Sequence, residues 1–371
     1  MTKNILISVF FLLITYVSMA QQSPFEKQWD RIDSLELKGR TKTALAEVNV
    51  LRSQSLEQKD HLNFVKASIF RWKFQKITLE DAHNEILKDI DHTIGQVPQV
   101  YASVLWVIRA KLLRDYFEDN YWTIRGITAS DVFDQDEIAT WDTRTYVKEI
   151  NKSYDRAMDN KTELQGMRIE AMLPIIKAVE LSRSYRPSLY DVLVHEALSF
   201  YRNRYSSFES FNQFFISNEK ALFDTSEAFV GYQLMEKDTI SFASKALQLY
   251  QEIEVAHSGD SNPNAFVYAQ LRRFEYADEL CKDAKAETWY REALLRLATE
   301  YAGNSIEALI KFELAQRYYG DREKPALGYM YNPINYDNLK AMELCKEVIK
   351  KYPNSEGAQR CRVLIRQMEA V

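Results

Sequence analysis

Apolar and bulky side chains in the last third of the chain recur at a helical interval. Ala246, Leu249, Tyr250, Ile253 and His257 follow the spacing i, i+3, i+4, i+7, i+11. Tyr290, Ala293, Leu294, Leu297 and Tyr301 repeat it, and so do Ala341, Leu344, Cys345, Val348 and Tyr352. That spacing places five side chains on one face of an α-helix. After the second and third sets a short polar break carries Ser-x-x-Ala, Ser305 with Ala308 and Ser355 with Ala358. A new helical stripe follows each break: Ala308, Phe312, Ala315 and Tyr319, then Ala358, Cys361, Ile365 and Met368.

Helix pairs stacked in series imply an irregular helical-hairpin, TPR-like solenoid over residues 240–371, with uneven starts at Ala246, Tyr290 and Ala341. One pair does not stand alone. Burying five medium-sized side chains stabilises by about 1.5–3 kcal/mol each. Ordering the backbone costs about 1–2 kcal/mol per residue. Each pair therefore has to bury a second face on its neighbour. Solenoids normally end in a polar capping element. The stripe ending at Met368 offers none, so the expectation is an irregular cap or further domains of the same polypeptide.

Residues 21–220 read as an N-terminal helical domain. A helix over Pro24–Lys38 breaks at Gly39, and Ala44, Val48 and Leu51 mark the next, so Gly39 is the expected hairpin turn. A third helix is predicted from Asp60 to Ile77, and Thr78 is the expected cap of a fourth through His92. After Pro98, Val104, Ile108, Leu112 and Tyr116 form one stripe. From Asn120 to Asp142 the pattern turns irregular and rich in aromatics and acids. A helix over Thr143–Asp159 follows, and Pro187 with Ser188-Leu189-Tyr190-Asp191 signals a capped helix through Arg204. A second irregular, aromatic stretch spans Tyr205–Thr239, with Phe208, Phe211, Phe214, Phe215, Phe223 and Phe229.

Composition supports an all-α fold: 10 Gly and 8 Pro in 371 residues leave few hairpin or sandwich turns, and 46% apolar content allows a sizeable core. Lys3, the apolar run Ile5–Val17 and Ser18-Met19-Ala20 read as a secretory signal peptide, residues 1–20, cleaved before Gln21. The rival, a membrane anchor, is disfavoured because the run is too short to span a bilayer. The absence of a cysteine near the cut excludes a lipid anchor of the usual bacterial kind. Export places the chain in the periplasm or cell envelope. Cleavage moves the net charge from −5 to about −6. An acidic chain with no basic stripe is a poor fit to nucleic acid. No later stretch is apolar enough to cross a membrane.

Nothing in the chain signals catalysis, a cofactor or a metal. The acids Asp131, Asp134, Asp136 and Glu137 lack the EF-hand ligand order and its glycine, and read as a solvated loop. His195-Glu196 begins a zincin-like motif, but Ser199 stands where the second histidine belongs. There is no phosphate loop and no nucleophile elbow. Cys345 and Cys361 fall on the two helices of one pair, where a disulfide or two buried thiols both fit. The thiols are preferred, since a bridge needs specific geometry. Cys281 has no evident role.

Several segments resemble, in order, the N-terminal region of the large alpha-2-macroglobulin-like proteins exported by Bacteroidetes. They are Trp29-x-x-Ile32-Asp33-x-Leu35 with Gly39, Tyr121-Trp122-x-Ile124, Thr140-Trp141-Asp142, Arg186-Pro187-Ser188-Leu189-Tyr190-Asp191, and Tyr352-Pro353-Asn354-Ser355-Glu356-Gly357-Ala358 with Cys361. The resemblance implies a helical region ahead of β-sandwich domains, and the protease-restraining activity of that family belongs to those later domains. The Cys-x-Glu-Gln thioester of some members is missing after Cys281, Cys345 and Cys361, so no reactive residue carries over. The expectation is a non-catalytic exported scaffold that meets a protein partner or downstream domains, with the two aromatic stretches read either as contact loops or, preferred on base rates, as residues that seal helix packing. The alternatives are a freestanding exported TPR-like adaptor and a helical glycan-processing enzyme built on Arg186, Tyr190 and His195.

Overall fold

The computed structural model describes residues 25–80, 82–128, 134, 137–202, 218–234, 241–319 and 338–370. The expected signal peptide, Asp131, Asp136, Phe208, Phe211, Phe214 and Phe215 lie outside them. The described residues are all-α, with sixteen α-helices, four short 3-10 turns and no strand; one isolated bridge joins Arg168 to Ser188. Among the described residues no helix is long and apolar enough to cross a membrane. Contacts divide the chain into two compact units, with the division inside one helix, between Tyr101 and Ala102.

The first unit holds α1 (Glu26–Leu37), α2 (Thr41–Glu57), α3 (His61–Thr78) and α4 (His83–Ile94). Its core joins Phe25, Trp29 and Ile32 to Ala44, Val48, Leu51, Ala67 and Phe74. Gly39, at φ +67°, closes α1 in the left-handed conformation, and the Arg40 amide donates to the Leu35 carbonyl at 2.9 Å. Lys59 ends α2 at φ 58° without a glycine, which no turn signal in the sequence announced. Asp60 accepts from the Asn63 amide and caps α3. Thr78 does not cap α4. It is the last residue of α3, its hydroxyl donates to the Phe74 carbonyl, and α4 begins five residues later at His83. Asp89 draws α2, α3 and α4 together, accepting from Arg52 (3.4 Å), Arg71 (3.0 Å) and the Trp72 indole (2.6 Å). Asn84 bonds both the Glu137 carboxylate and the Ile138 amide, fixing that short segment to the same unit.

The second unit takes most of α5 (Gln99–Asp119), then α6 (Tyr121–Arg125), α7 (Thr143–Ala157), α8 (Lys161–Gly166), α9 (Leu189–Tyr201) and α10 (Ser226–Val230). It ends with α11 (Phe242–His257), α12 (Asn264–Leu280), α13 (Ala286–Glu300), α14 (Glu307–Tyr319), α15 (Asn338–Lys351) and α16 (Glu356–Glu369). The stretch expected to be irregular contains α6 and a 3-10 turn over Ile138–Thr140. Trp141 is buried there, and Asp142 caps α7 by accepting from the Thr145 amide. Phe223 and Phe229 of the second aromatic stretch are buried core residues.

From α11 to α16 each helix packs on the next, and α14 also meets α16. The repeated stripes face this packing. All five residues of the first set are buried, as are Tyr290, Ala293, Leu294 and Leu297 of the second and Ala341, Cys345 and Val348 of the third. Ser355 caps α16, accepting from the Ala358 amide at 3.1 Å. Ser305 does not act that way: Asn304 accepts from the Ile306 amide instead. Cys345 and Cys361 are fully buried free thiols. Cys281 is half-buried, and burial with the neighbouring Glu219 pushes its thiol up to about 12.

Buried charge supplies the ties between helices. The Arg273 and Glu254 side chains have 0% exposure, with Nε to Oε1 at 2.7 Å. Arg273 also donates to the Leu222 carbonyl (2.7 Å) and the Asp224 carbonyl (3.1 Å), joining α11 and α12 to the turn over Glu219–Phe223. Glu307, at the start of α14, accepts from the Gly303 amide, Lys351 and the Tyr352 hydroxyl, the last two at the end of α15. Burial opposes ionisation of Glu307, but these donors and Lys311 outweigh it and hold its carboxyl well below the usual range.

Replacing Arg273 with Met is expected to cost about 3–5 kcal/mol, because Glu254 is left buried and unpaired. The double change Arg273→Met, Glu254→Leu should recover part of that loss in a denaturant titration; a double variant no more stable than the single would remove the charge explanation. At α16 the constraint is steric. A Cβ on Gly357 would lie 2.3 Å from the Ala308 carbonyl oxygen. Gly357→Ala should therefore lower stability by about 1–3 kcal/mol, and an unchanged denaturation midpoint would contradict this close approach.

Candidate functional site

A cavity of ≈ 450 Å³ opens in the second unit. Helix α5 contributes Val104, Val107, Ile108 and Lys111, one helical face at i, i+3, i+4 and i+7. Across from it, α9 contributes Val192, Leu193 and Glu196. The wall between is the segment that runs from Ile175 through Val179 to Arg186. Lys111 and Glu196 pair at 2.9 Å while each stays more than a third exposed, so water screens the attraction. Val179 is 73% exposed, which puts solvent at the rim.

One wall of the cavity is set by the capping box of α9. The Ser188 hydroxyl accepts from the Asp191 amide, and Asp191 Oδ2 accepts from the Ser188 amide at 2.9 Å and its hydroxyl at 2.7 Å. The other carboxylate oxygen of Asp191 faces His257 Nε2 at 2.6 Å, while Asp260 faces His257 Nδ1 at 2.7 Å. Both ring nitrogens thus meet carboxylates, an arrangement that requires both to carry protons. Burial disfavours the imidazolium, but Asp191 and then Asp260 outweigh it and push His257 up to about 9. The end of α11 is thereby fastened to the start of α9.

The residues named for an enzymatic reading are placed differently from one another. Arg186 lines the cavity and donates to the Tyr268 hydroxyl at 2.9 Å. Tyr190 is buried, with its hydroxyl 3.3 Å from Glu252. The His195 ring stands edge-on to Tyr268, with centroids 5.5 Å apart. Burial, then Arg186, Arg272 and Arg202, hold His195 well below its ordinary value, so it is neutral near pH 7. Neither Tyr190 nor His195 is among the residues lining the cavity. Glu196 is, through its pair with Lys111, and the Ser199 hydroxyl donates to the Glu196 carbonyl. Among the described residues no group of three or more His, Cys, Asp or Glu is placed to hold a metal ion.

Sequence reasoning found the α5 stripe through Val104 and Ile108 but missed Lys111, Lys177 and the Ile175–Val179 segment as parts of one site. A basic residue at the end of a Val-x-x-Val-Ile face was the available signal. Comparison with protein-family models, with curated proteins and with solved structures found no match to this chain.

The His257 pair has a defined pH signature. A group raised in the folded chain contributes its stability fully below its unfolded value of 6.5, and loses it as pH rises through about 9. Denaturation midpoints measured below pH 6.5 and above pH 9 should therefore fall on the alkaline side. In His257→Gln that alkaline decline should flatten, and an equal decline in both proteins would rule out this residue as the cause.

Proposed function

We propose that the chain is a non-catalytic exported scaffold, an irregular TPR-like array of helical hairpins that works by protein contact. In this reading it forms the N-terminal part of an alpha-2-macroglobulin-like envelope protein of the protease-inhibitor type. Residues 1–20 serve as its export signal, and its partners are downstream domains or a separate protein.

The observation that carries the reading is how the buried ionisable side chains are used. Arg273 with Glu254, His257 with Asp191, and Glu307 with Lys351 each spend their charge on holding one helix against another. A catalytic site needs such groups to converge on a space that a substrate reaches. The segments behind the family resemblance do the same structural work: Trp29 and Ile32 in a core, Asp142 and Ser188 as caps, Gly357 at a close approach.

Two measurements test it. The coding frame beyond Val371 should continue into β-rich sequence; a stop codon there would overturn the macroglobulin-like assignment in favour of a freestanding adaptor. Incubation of the purified chain with acidic and neutral polysaccharides should leave their chain length unchanged. New reducing ends or unsaturated products, lost in Arg186→Ala, would overturn the non-catalytic reading.

A further inference from the structure

The cavity beside α5 and α9 carries more cations than acids on its lining. Three arginines elsewhere in the unit are matched by carboxylates: Arg273 by Glu254, Arg109 by Glu149 and Arg202 by Glu279. Lys177 and Arg186 line the cavity, and among the described residues neither has an ion-pair partner. Arg186 gives one N–H to the neutral Tyr268 hydroxyl and lies 5.4 Å from that ring's centroid. Its Nε is buried and meets no acceptor among the described residues. A buried donor of a cation left unpaired is costly. Against these two cations and Lys111, the lining holds a single acid, Glu196, already engaged by Lys111. A protein of net charge −5 thus keeps a locally cationic hollow.

Apart from Ser182, the remaining lining is aliphatic, Val, Ile, Leu and Ala, without an aromatic ring. Flat heterocycles and sugars generally stack on aromatic faces, and this chain has 13% aromatic residues to draw on. An extended hydrocarbon needs only an aliphatic trough. The volume of ≈ 450 Å³ suits a small ligand, since such sites run to about 300–1,000 Å³. We propose that this cavity binds an aliphatic monocarboxylate, a free fatty acid of medium length, with its carboxylate held by Lys177 and Arg186. Its chain lies against Val104, Val107 and Ile108 of α5. A carboxylate balances the charge of Lys177 and Arg186 and offers acceptors to their N–H groups that face the cavity. The site is a property of the second unit and does not depend on whether the polypeptide continues beyond Val371.

Calorimetric titration of the purified chain with decanoate, kept below its aggregation concentration, tests this. Decanoate should bind at one site, and decanol at least about tenfold more weakly, since it lacks the charge that a guanidinium hydrogen bond rewards. Added salt should weaken decanoate binding and leave decanol unaffected. Arg186→Gln should weaken decanoate about tenfold. Lys177 is exposed, so Lys177→Gln leaves the fold intact and should weaken it several-fold. Val107→Trp, with helicity verified by circular dichroism, should abolish binding by filling the trough. No heat of binding from decanoate would overturn the proposal, and so would equal affinity for decanol or indifference to Lys177→Gln. A peptide with an apolar free carboxyl terminus binding more tightly than decanoate, with the same dependence on Arg186, would overturn the fatty-acid assignment.

Discussion

A guanidinium with no exposed atom has to be neutralised where it lies, and Arg273 sets that condition for the second unit. Its charge is met by Glu254 on α11, and its remaining donors by the carbonyls of Leu222 and Asp224. Its faces are covered by Phe229 at 4.1 Å and Phe274 at 4.6 Å, where the cation sits against aromatic π density. The segment over residues 219–230 is therefore not free to leave the α11–α12 pair, because doing so would strand a buried cation. Apolar burial drives the helices together without direction. The ion pair chooses which surfaces meet.

The same device recurs with different chemistry. In the first unit Asp89 gathers two arginines and an indole N–H from neighbouring helices. In the second, Glu307 joins α14 to α15, and Asp191 serves at once as half of a capping box and as the partner of His257. Each is a short polar connection across otherwise apolar seams, satisfied by several donors or acceptors rather than one. Networks of this kind favour a single arrangement of helices, since partial satisfaction in a low-dielectric interior is costly. The cavity lined by Lys111, Lys177 and Arg186 is different in kind: its single acid, Glu196, is taken up by Lys111.

Much of the local structure was legible from the residues. Ser188 caps its helix as the Pro187-Ser188-Leu189-Tyr190-Asp191 signal announced, and Asp60, Asp142 and Ser355, not named as caps from the sequence, do the same work. Gly39 turns where a left-handed residue was needed. The failures share a cause. Thr78 satisfies a carbonyl of its own helix instead of starting the next, and Lys59 takes a positive φ that its side chain does not favour. Tyr121–Arg125 forms a short helix where composition suggested only a loop. In each case a contact beyond the residue's own preference decides: a helix-end hydrogen bond at Thr78 and Lys59, and the burial of Ile124 in Tyr121–Arg125.

Taken alone, the sequence determined the all-α class and most of the buried stripe on the helices it marked, because a period of 3.6 residues is written in neighbouring positions. It announced one helix start, at Ser188, through a capping signal. Only the tertiary structure decided that His257 meets Asp191, 66 positions away, and that Arg273 reaches across to Leu222. It likewise decided that Lys111, Lys177 and Arg186, from separate elements, line one hollow. Such meetings depend on the path of the chain between elements. Charge carries no periodic signature that names its partner, so the choice is made only when the helices pack.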